Sequence, residues 1–273
     1  MRLELRNVWH VYSPGTEFEF TALRGASLVV EAGEVLGIVG GTGSGKSTLV
    51  QHMNLLLTPT HGEVFLDGAD AADMKKSELR RRVGLVFQFP EQALFAPTVE
   101  EDVSFAPRQM GLAEDEVRRR VHETLELLGV RQQADRSPHT LSGGEKRRVA
   151  IAGVLAMQPE VLVMDEPTAG LDPATRQDLL EVVRDLLSEG TSIVLVSHDL
   201  DEVAEISDRV CLMEKGKIRA LGIPEEVFYT NPEVAPATVR VGAILRNKRP
   251  EFGTPVRYTD TIHALKDLLS TQQ

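Results

Sequence analysis

The chain has 273 residues, 42% of them hydrophobic, enough for one main domain of about 220 residues with a small appendage. Lys and Arg number 30 against 41 Asp and Glu, a formal net charge of -11, which argues against nucleic acid as the principal partner because a phosphate backbone needs a basic face. The single cysteine, Cys211, excludes an intrachain disulfide and a multi-cysteine metal site, and no apolar run approaches the roughly 18 residues of a membrane span.

In chain order, residues 3–8 alternate charge and apolarity as a half-buried strand does and lack the apolar core of a signal peptide. The chain is therefore expected to be cytosolic or peripheral to a membrane. Strands are predicted at 26–30 and 35–39, a helix at 46–56, and a strand at 83–87. The stretch 97–157 is rich in helical pattern, with helices at 114–128 and 143–157 and no clear parallel strand, and reads as a helical subdomain inserted into the core. In 114–128, Val117, Val121, Leu125 and Leu128 share one face, while Arg118, Arg119 and Arg120 lie mostly off it as a solvated face. A strand at 161–164, a helix at 173–187 and strands at 192–196 and 208–213 follow, the last placing Cys211 as a core hydrophobe. The runs 35–39, 161–164 and 192–196 are nearly continuously apolar, which suits parallel strands covered by helices on both faces, so the fold class is α/β. Beyond Gly222, Pro224, Pro232, Pro236, Pro250 and Pro255 are expected to break the tail into short pieces. The division is thus a main domain over 1–222 and an extension over 223–273.

Residues 40–48, Gly40-Gly41-Thr42-Gly43-Ser44-Gly45-Lys46-Ser47-Thr48, fit G-x-x-x-x-G-K-[ST] between a strand and a helix. In that context the loop amides and the helix N-terminus cradle phosphates, Lys46 reaches the β- and γ-phosphates and Ser47 ligates Mg²⁺. A second feature is the apolar strand that ends in Asp165-Glu166. Buried acids need a reason, and metal and water supply one: Asp165 in the Mg²⁺ shell, Glu166 orienting or deprotonating the attacking water. The plain alternative for this pair is a solvated strand end.

Leu141-Ser142-Gly143-Gly144-Glu145 resembles the LSGGQ signature of the ATP-binding-cassette ATPases, in which Glu is a frequent variant at the last position. The resemblance implies a phosphate-loop ATPase core, a mixed sheet with an N-terminal antiparallel part, and an inserted helical subdomain. It implies Ser142, Gly143 and Gly144 facing the ATP of an opposite subunit, hence a head-to-tail dimer. Gln88 after strand 83–87 matches the family's glutamine loop touching Mg²⁺. Asp172 in Ala169-Gly170-Leu171-Asp172 matches the loop crossing the dimer interface, and His198 in Ser197-His198-Asp199 the switch histidine. Tyr12 resembles the aromatic on which adenine stacks, with Trp9, Phe18 and Phe20 as competitors.

The segment Phe89-Pro90-Glu91-Gln92-Ala93-Leu94-Phe95 is apolar and aromatic for a loop, consistent either with packing between subdomains or with docking of a membrane partner. Together with Phe87-Gln88, 149–156 and 165–173, it resembles the ATPase subunits of energy-coupling-factor transporters, closest to the second ATPase type, over about 3–228; beyond Phe228 the match is weak, with a C-terminal dimerisation extension similar in placement. The resemblance implies hydrolysis of ATP with Mg²⁺ on the cytoplasmic face of the cell membrane, driving import of a vitamin or transition-metal ion. The partners implied are a like or related ATPase subunit, a transmembrane scaffold and a substrate-binding membrane protein. The alternatives are the ATPase of an ordinary importer and a soluble cassette protein acting on ribosomes or DNA; the second would carry paired cassettes, a coiled-coil insertion or basic extensions, and none is visible.

Overall fold

A computed structural model describes residues 1–249 and 252–270. The N-terminal half alternates long strands with few helices: β1 (Leu3–Tyr12), β2 (Phe20–Val30), β3 (Val35–Gly40), α1 (Lys46–Met53), β4 (His61–Leu66), β5 (Ala69–Asp70), α2 (Lys76–Arg82) and β6 (Val83–Val86). Three helices then follow with no strand between them, α3 (Val99–Gln109), α4 (Glu114–Leu127) and α5 (Gly143–Leu155). The chain returns through β7 (Val161–Asp165), α6 (Pro173–Ser188), β8 (Ser192–Val196), α7 (Leu200–Ile206), β9 (Arg209–Glu214) and β10 (Lys217–Gly222). It closes on α8 (Pro224–Thr230), α9 (Ala237–Lys248) and α10 (Tyr258–Ser270).

Two sheets result. One is antiparallel, ordered β2-β1-β4-β5; the other is ordered β10-β9-β3-β8-β7-β6, parallel except for the edge strand β10. Every residue of β7 and β8 is buried, as is every residue of β3 but its last, Gly40, which explains their unbroken apolar sequences. One face of the parallel sheet packs on α3 to α7 and the tail; the other joins Leu49, Val50 and Met53 of α1 and the antiparallel sheet through Leu3, Leu5 and Leu28. Cys211 lies in this second core, its thiol pushed up to about 12 by burial, as a packing residue would be.

Three of the elements absent from the sequence reading carry weak signals. In β4 only Val64 and Leu66 are buried, in α2 only Leu79, and in β10 no residue is. The tail is broken at its prolines as expected, and its pieces are helical. Pro224 sits in the first turn of α8 and Pro236 immediately before α9, where a missing N–H costs nothing, so they begin helices and the longer pieces run to 12 and 13 residues. Phe228 and Val239 anchor this tail in the main core. Pro250 lies outside the described residues. Of the arginine triplet, Arg118 and Arg119 are solvated and paired with Asp115, Glu116 and Glu123, whereas Arg120 departs from that reading: its side chain is only 15% exposed, paired with Glu116 and reaching the Met157 carbonyl at 3.3 Å.

His52 on α1 is wholly buried, and burial holds its pKa down to about 4 from 6.5. Between those values the unfolded chain binds a proton that the folded chain does not, so stability falls as pH drops through this window and levels off below it. The cost is on the order of 3 kcal/mol. Urea unfolding at pH 7 and pH 4.5 should show a drop that His52→Leu reduces; equal drops in both proteins would refute it.

Candidate active site

The ends of β3, β7 and β8 meet at one edge of the parallel sheet, because Val39 and Gly40 continue past the β3–β8 register while Asp165 lies opposite Val196. The turn after β3 depends on glycine. At Gly40, φ is 151° and a Cβ would come within 2.3 Å of the Met213 carbonyl; at Gly45, φ is 102° and a Cβ would come within 2.8 Å of the Ala22 carbonyl. Gly41 and Gly43 face open space, and the buried Ser44 closes the turn by donating its N–H to the Gly41 carbonyl at 3.1 Å. Thr42 is exposed on the turn. Lys46 Nζ stands over the loop, donating to the carbonyls of Gly40 (2.8 Å) and Gly41 (3.2 Å). No acidic residue occupies the first turn of α1, so its positive dipole end stays available to an anion. Thr48 turns back toward β1, its Oγ1 3.2 Å from the Tyr12 hydroxyl.

At the tip of β7, Asp165 is buried and bonded by the Ser47 hydroxyl; burial raises its pKa against that bond. Ser47 and Asp165 thus bring two oxygen donors together at the mouth of the loop. Among the described residues no cluster of three or more His, Cys, Asp or Glu could cage a metal. A sparse oxygen set fits Mg²⁺, which keeps waters and takes phosphate oxygens, and does not fit a soft metal. Glu166 adopts left-handed backbone (φ 55°) and donates its N–H to the Val196 carbonyl at 2.9 Å. Its carboxylate pairs with His198 Nδ1. A carboxylate only accepts, so Nδ1 carries a proton, and Nε2 lies on the outer side of the 71% exposed imidazole.

Behind this pair lies a frame that the sequence reading missed. Glu202 is buried and accepts from Thr168 Oγ1 and Ser197 Oγ, both at 2.9 Å. Asp199 caps α7 through the Glu202 N–H and pairs with Arg176 of α6 at 2.5 Å. The Asp199-x-x-Glu202 spacing ahead of Val203, Ala204 and Ile206 was a legible capping signal.

The Leu141–Glu145 segment does not meet the phosphate loop. Ser142 and Glu145 form a capping box at the start of α5, Gly143 faces open space, and a Cβ at Gly144 would lie 3.3 Å from Thr175 Cγ2. Thr175 in turn donates its N–H (3.1 Å) and hydroxyl (2.6 Å) to Asp172, the cap of α6. The glycine signature and the 169–172 loop therefore lie side by side, and among the described residues no hydrogen bond or ion pair joins either to residues 40–48. Gln88 is exposed just past β6. Arg147, also missed in the sequence, is buried in α5 and holds Glu91 through both oxygens (3.1 and 3.2 Å), the Pro167 carbonyl (3.3 Å) and the Ala169 carbonyl. It ties the loop after Gln88 to the loop after Glu166.

A glycine cradle, a lysine over it and a buried carboxylate beside it define a nucleotide-phosphate site on the phosphate-loop fold. Residues 23–169 match the family described as ABC transporter. The chain is 50% identical over 257 residues, covering 91% of it and 89% of the relative, to the energy-coupling factor transporter ATP-binding protein EcfA2 of Symbiobacterium thermophilum. That coverage carries the likeness past Phe228, further than the sequence reading placed it. Among solved structures it resembles cbiO1 of Clostridium perfringens, part of the ABC transporter complex cbiONQ, with TM-score 0.76, 38% identity and coverage of 91% of this chain and 95% of that one. It also resembles the ATP-binding cassette MJ0796, a dimer bound to ADP and Pi, with TM-score 0.72, 30% identity and coverage of 81% and 98%. The chain belongs to the ABC transporter ATPases and, within them, to the energy-coupling factor ATP-binding proteins.

Proposed function

We propose that this chain is the ATP-hydrolysing subunit of an energy-coupling factor importer for a vitamin or transition-metal ion. It works as a dimer, with itself or with a related ATPase subunit, on the cytoplasmic side of a membrane scaffold and a substrate-binding membrane protein. Residues 1–222 form the ATPase domain, with 97–157 as its helical arm, and 223–273 the extension. No helix among the described residues is long and apolar enough to cross a membrane.

The observation that carries this reading is the separation of two half-sites in one molecule. Lys46, Asp165, Glu166 and His198 gather at the sheet edge, whereas Ser142, Gly143, Gly144 and Asp172 form a second group with no bond to the phosphate loop. A second subunit, turned head to tail, joins the half-sites in pairs. In the joined site the 40–48 amides and Lys46 bind the phosphates, and Tyr12 stacks on adenine. Ser47, Asp165 and Gln88 would hold Mg²⁺, which when bound neutralises charge on the β- and γ-phosphate oxygens. Glu166 takes the proton of the attacking water, and His198, held through Nδ1, presents Nε2 toward the γ-phosphate side. Binding closes the dimer and moves the docked scaffold; hydrolysis reopens it. The relation to cbiO1, a component of a transporter complex, supports the membrane partner.

Light scattering tests the half-site reading. ATP should hold the Glu166→Gln variant, which binds ATP and turns it over slowly, as a dimer, alone or mixed with a related ATPase subunit. A mass that stays that of the monomer with ATP in both arms would overturn it.

A further inference from the structure

We infer that His10 and His52 are positioning residues for the nucleotide base, locking the Tyr12 ring to the helix that opens on the phosphate loop. Four side chains and one carbonyl form a closed circuit between β1 and α1. The Tyr12 hydroxyl lies 3.2 Å from Thr48 Oγ1. The Thr48 carbonyl meets His52 Nδ1 at 2.7 Å, and His52 Nε2 meets His10 Nδ1 at 3.1 Å. The His10 ring returns to Tyr12 edge-on, centroids 4.4 Å apart at 74°, and also stands edge-on to His52 at 4.8 Å and 72°.

The tautomers follow from the acceptors. A carbonyl cannot donate, so His52 Nδ1 carries the hydrogen, and its Nε2 accepts from His10 Nδ1–H. Neither ring can flip without losing a bond. A histidine pair in a core can be mere filling, and His52 at 0% exposure and His10 at 8% would satisfy that description on their own. The circuit, however, ends on groups that are not core. Tyr12 is 39% exposed, and Thr48 lies two residues past Lys46. The circuit thus fixes one side of a solvent-facing aromatic ring to the same helix into which the phosphate loop runs, so that platform and loop keep their spacing before any nucleotide arrives. A base then stacks without first ordering its platform.

The inference rests on Tyr12 being the adenine platform, and its test separates the two. ATP and inorganic triphosphate, which has no base, are titrated calorimetrically into the wild type, Tyr12→Ala, His52→Leu, His10→Phe and the double variant Tyr12→Ala/His52→Leu. Thermal unfolding checks that each is folded, and His10→Phe keeps an aromatic edge against Tyr12 should His52→Leu fail to fold. Tyr12→Ala should weaken ATP about tenfold, and each histidine variant by about two- to tenfold, the range expected for freeing one side chain. Triphosphate affinity should not change, and the double variant should lose no more than Tyr12→Ala alone. Losses that add, equal losses for triphosphate, or histidine variants that bind ATP as the wild type does would overturn the positioning role and leave the platform standing. Unchanged ATP affinity in Tyr12→Ala would overturn both.

Discussion

Glu166→Gln is expected to lower ATP turnover by about 10² to 10⁴ while ATP binding persists, a loss of about 3 to 5 kcal/mol of transition-state stabilisation. The geometry singles out basicity as what is lost. Glutamine is isosteric, and its amide oxygen still accepts from His198 Nδ1–H, so the pairing of β7 with β8 across their tips survives. The left-handed backbone at Glu166 is held by its own N–H bond to the Val196 carbonyl, which the substitution does not touch. Asp165 and Ser47 also remain, so the two oxygen groups proposed to hold the cation are unchanged. What disappears is the only carboxylate that His198 orients. Single-turnover hydrolysis measured beside ATP titration checks it, and wild-type rates in the variant would remove Glu166 from the role of base. His198→Ala should resemble it more weakly, since an unheld carboxylate keeps its basicity and loses only its orientation.

The parts of this site that could be read in the sequence are those whose chemistry is contiguous. The glycine turn from Gly40 to Gly45 announces itself because positive φ at Gly40, Gly43 and Gly45, with close backbone approach at the first and last of these, calls for glycine there, and the apolar run 161–164 makes its terminal acids conspicuous. β3, β7 and β8 were legible for the same reason: burial on both faces leaves no polar interruption. Arg147 and His52 were not. Each owes its meaning to partners far along the chain, Glu91 at a separation of 56 residues and His10 at 42, and one sequence holds no trace of such pairing. Before the fold is known, Arg147 is one basic residue among three in Lys146-Arg147-Arg148, and only its burial distinguishes it. The tail's division at its prolines was legible and its helices were not, because proline stops a helix from within but starts one at its first turn.

Phe89→Asp is expected to release the chain from its membrane partner, weakening association by at least about a hundredfold, with ATP affinity unchanged. Phe89 holds left-handed backbone (φ 56°), an unfavourable place for a bulky side chain, and is 43% exposed at the rim of a groove of about 450 Å³ lined by Phe87, Leu94, Ala150 and Val154. Packing between subdomains would bury the ring; here strain and exposure coincide, which is the pattern of a residue kept for contact with something else. Aspartate tolerates the left-handed region better than phenylalanine, so the substitution does not add backbone cost. It does place a carboxylate in an apolar groove, where a docked helix would have to desolvate it. The consequence need not stop at docking. The Arg147 guanidinium lies 5.8 Å from the Phe89 ring centroid while gripping Glu91 and the carbonyls of Pro167 and Ala169. A force on Phe89 therefore has a short, buried path to the loop that follows Glu166. Membrane co-purification and ATP titration of the variant, run side by side, test the assignment; undiminished co-purification would return this segment to internal packing.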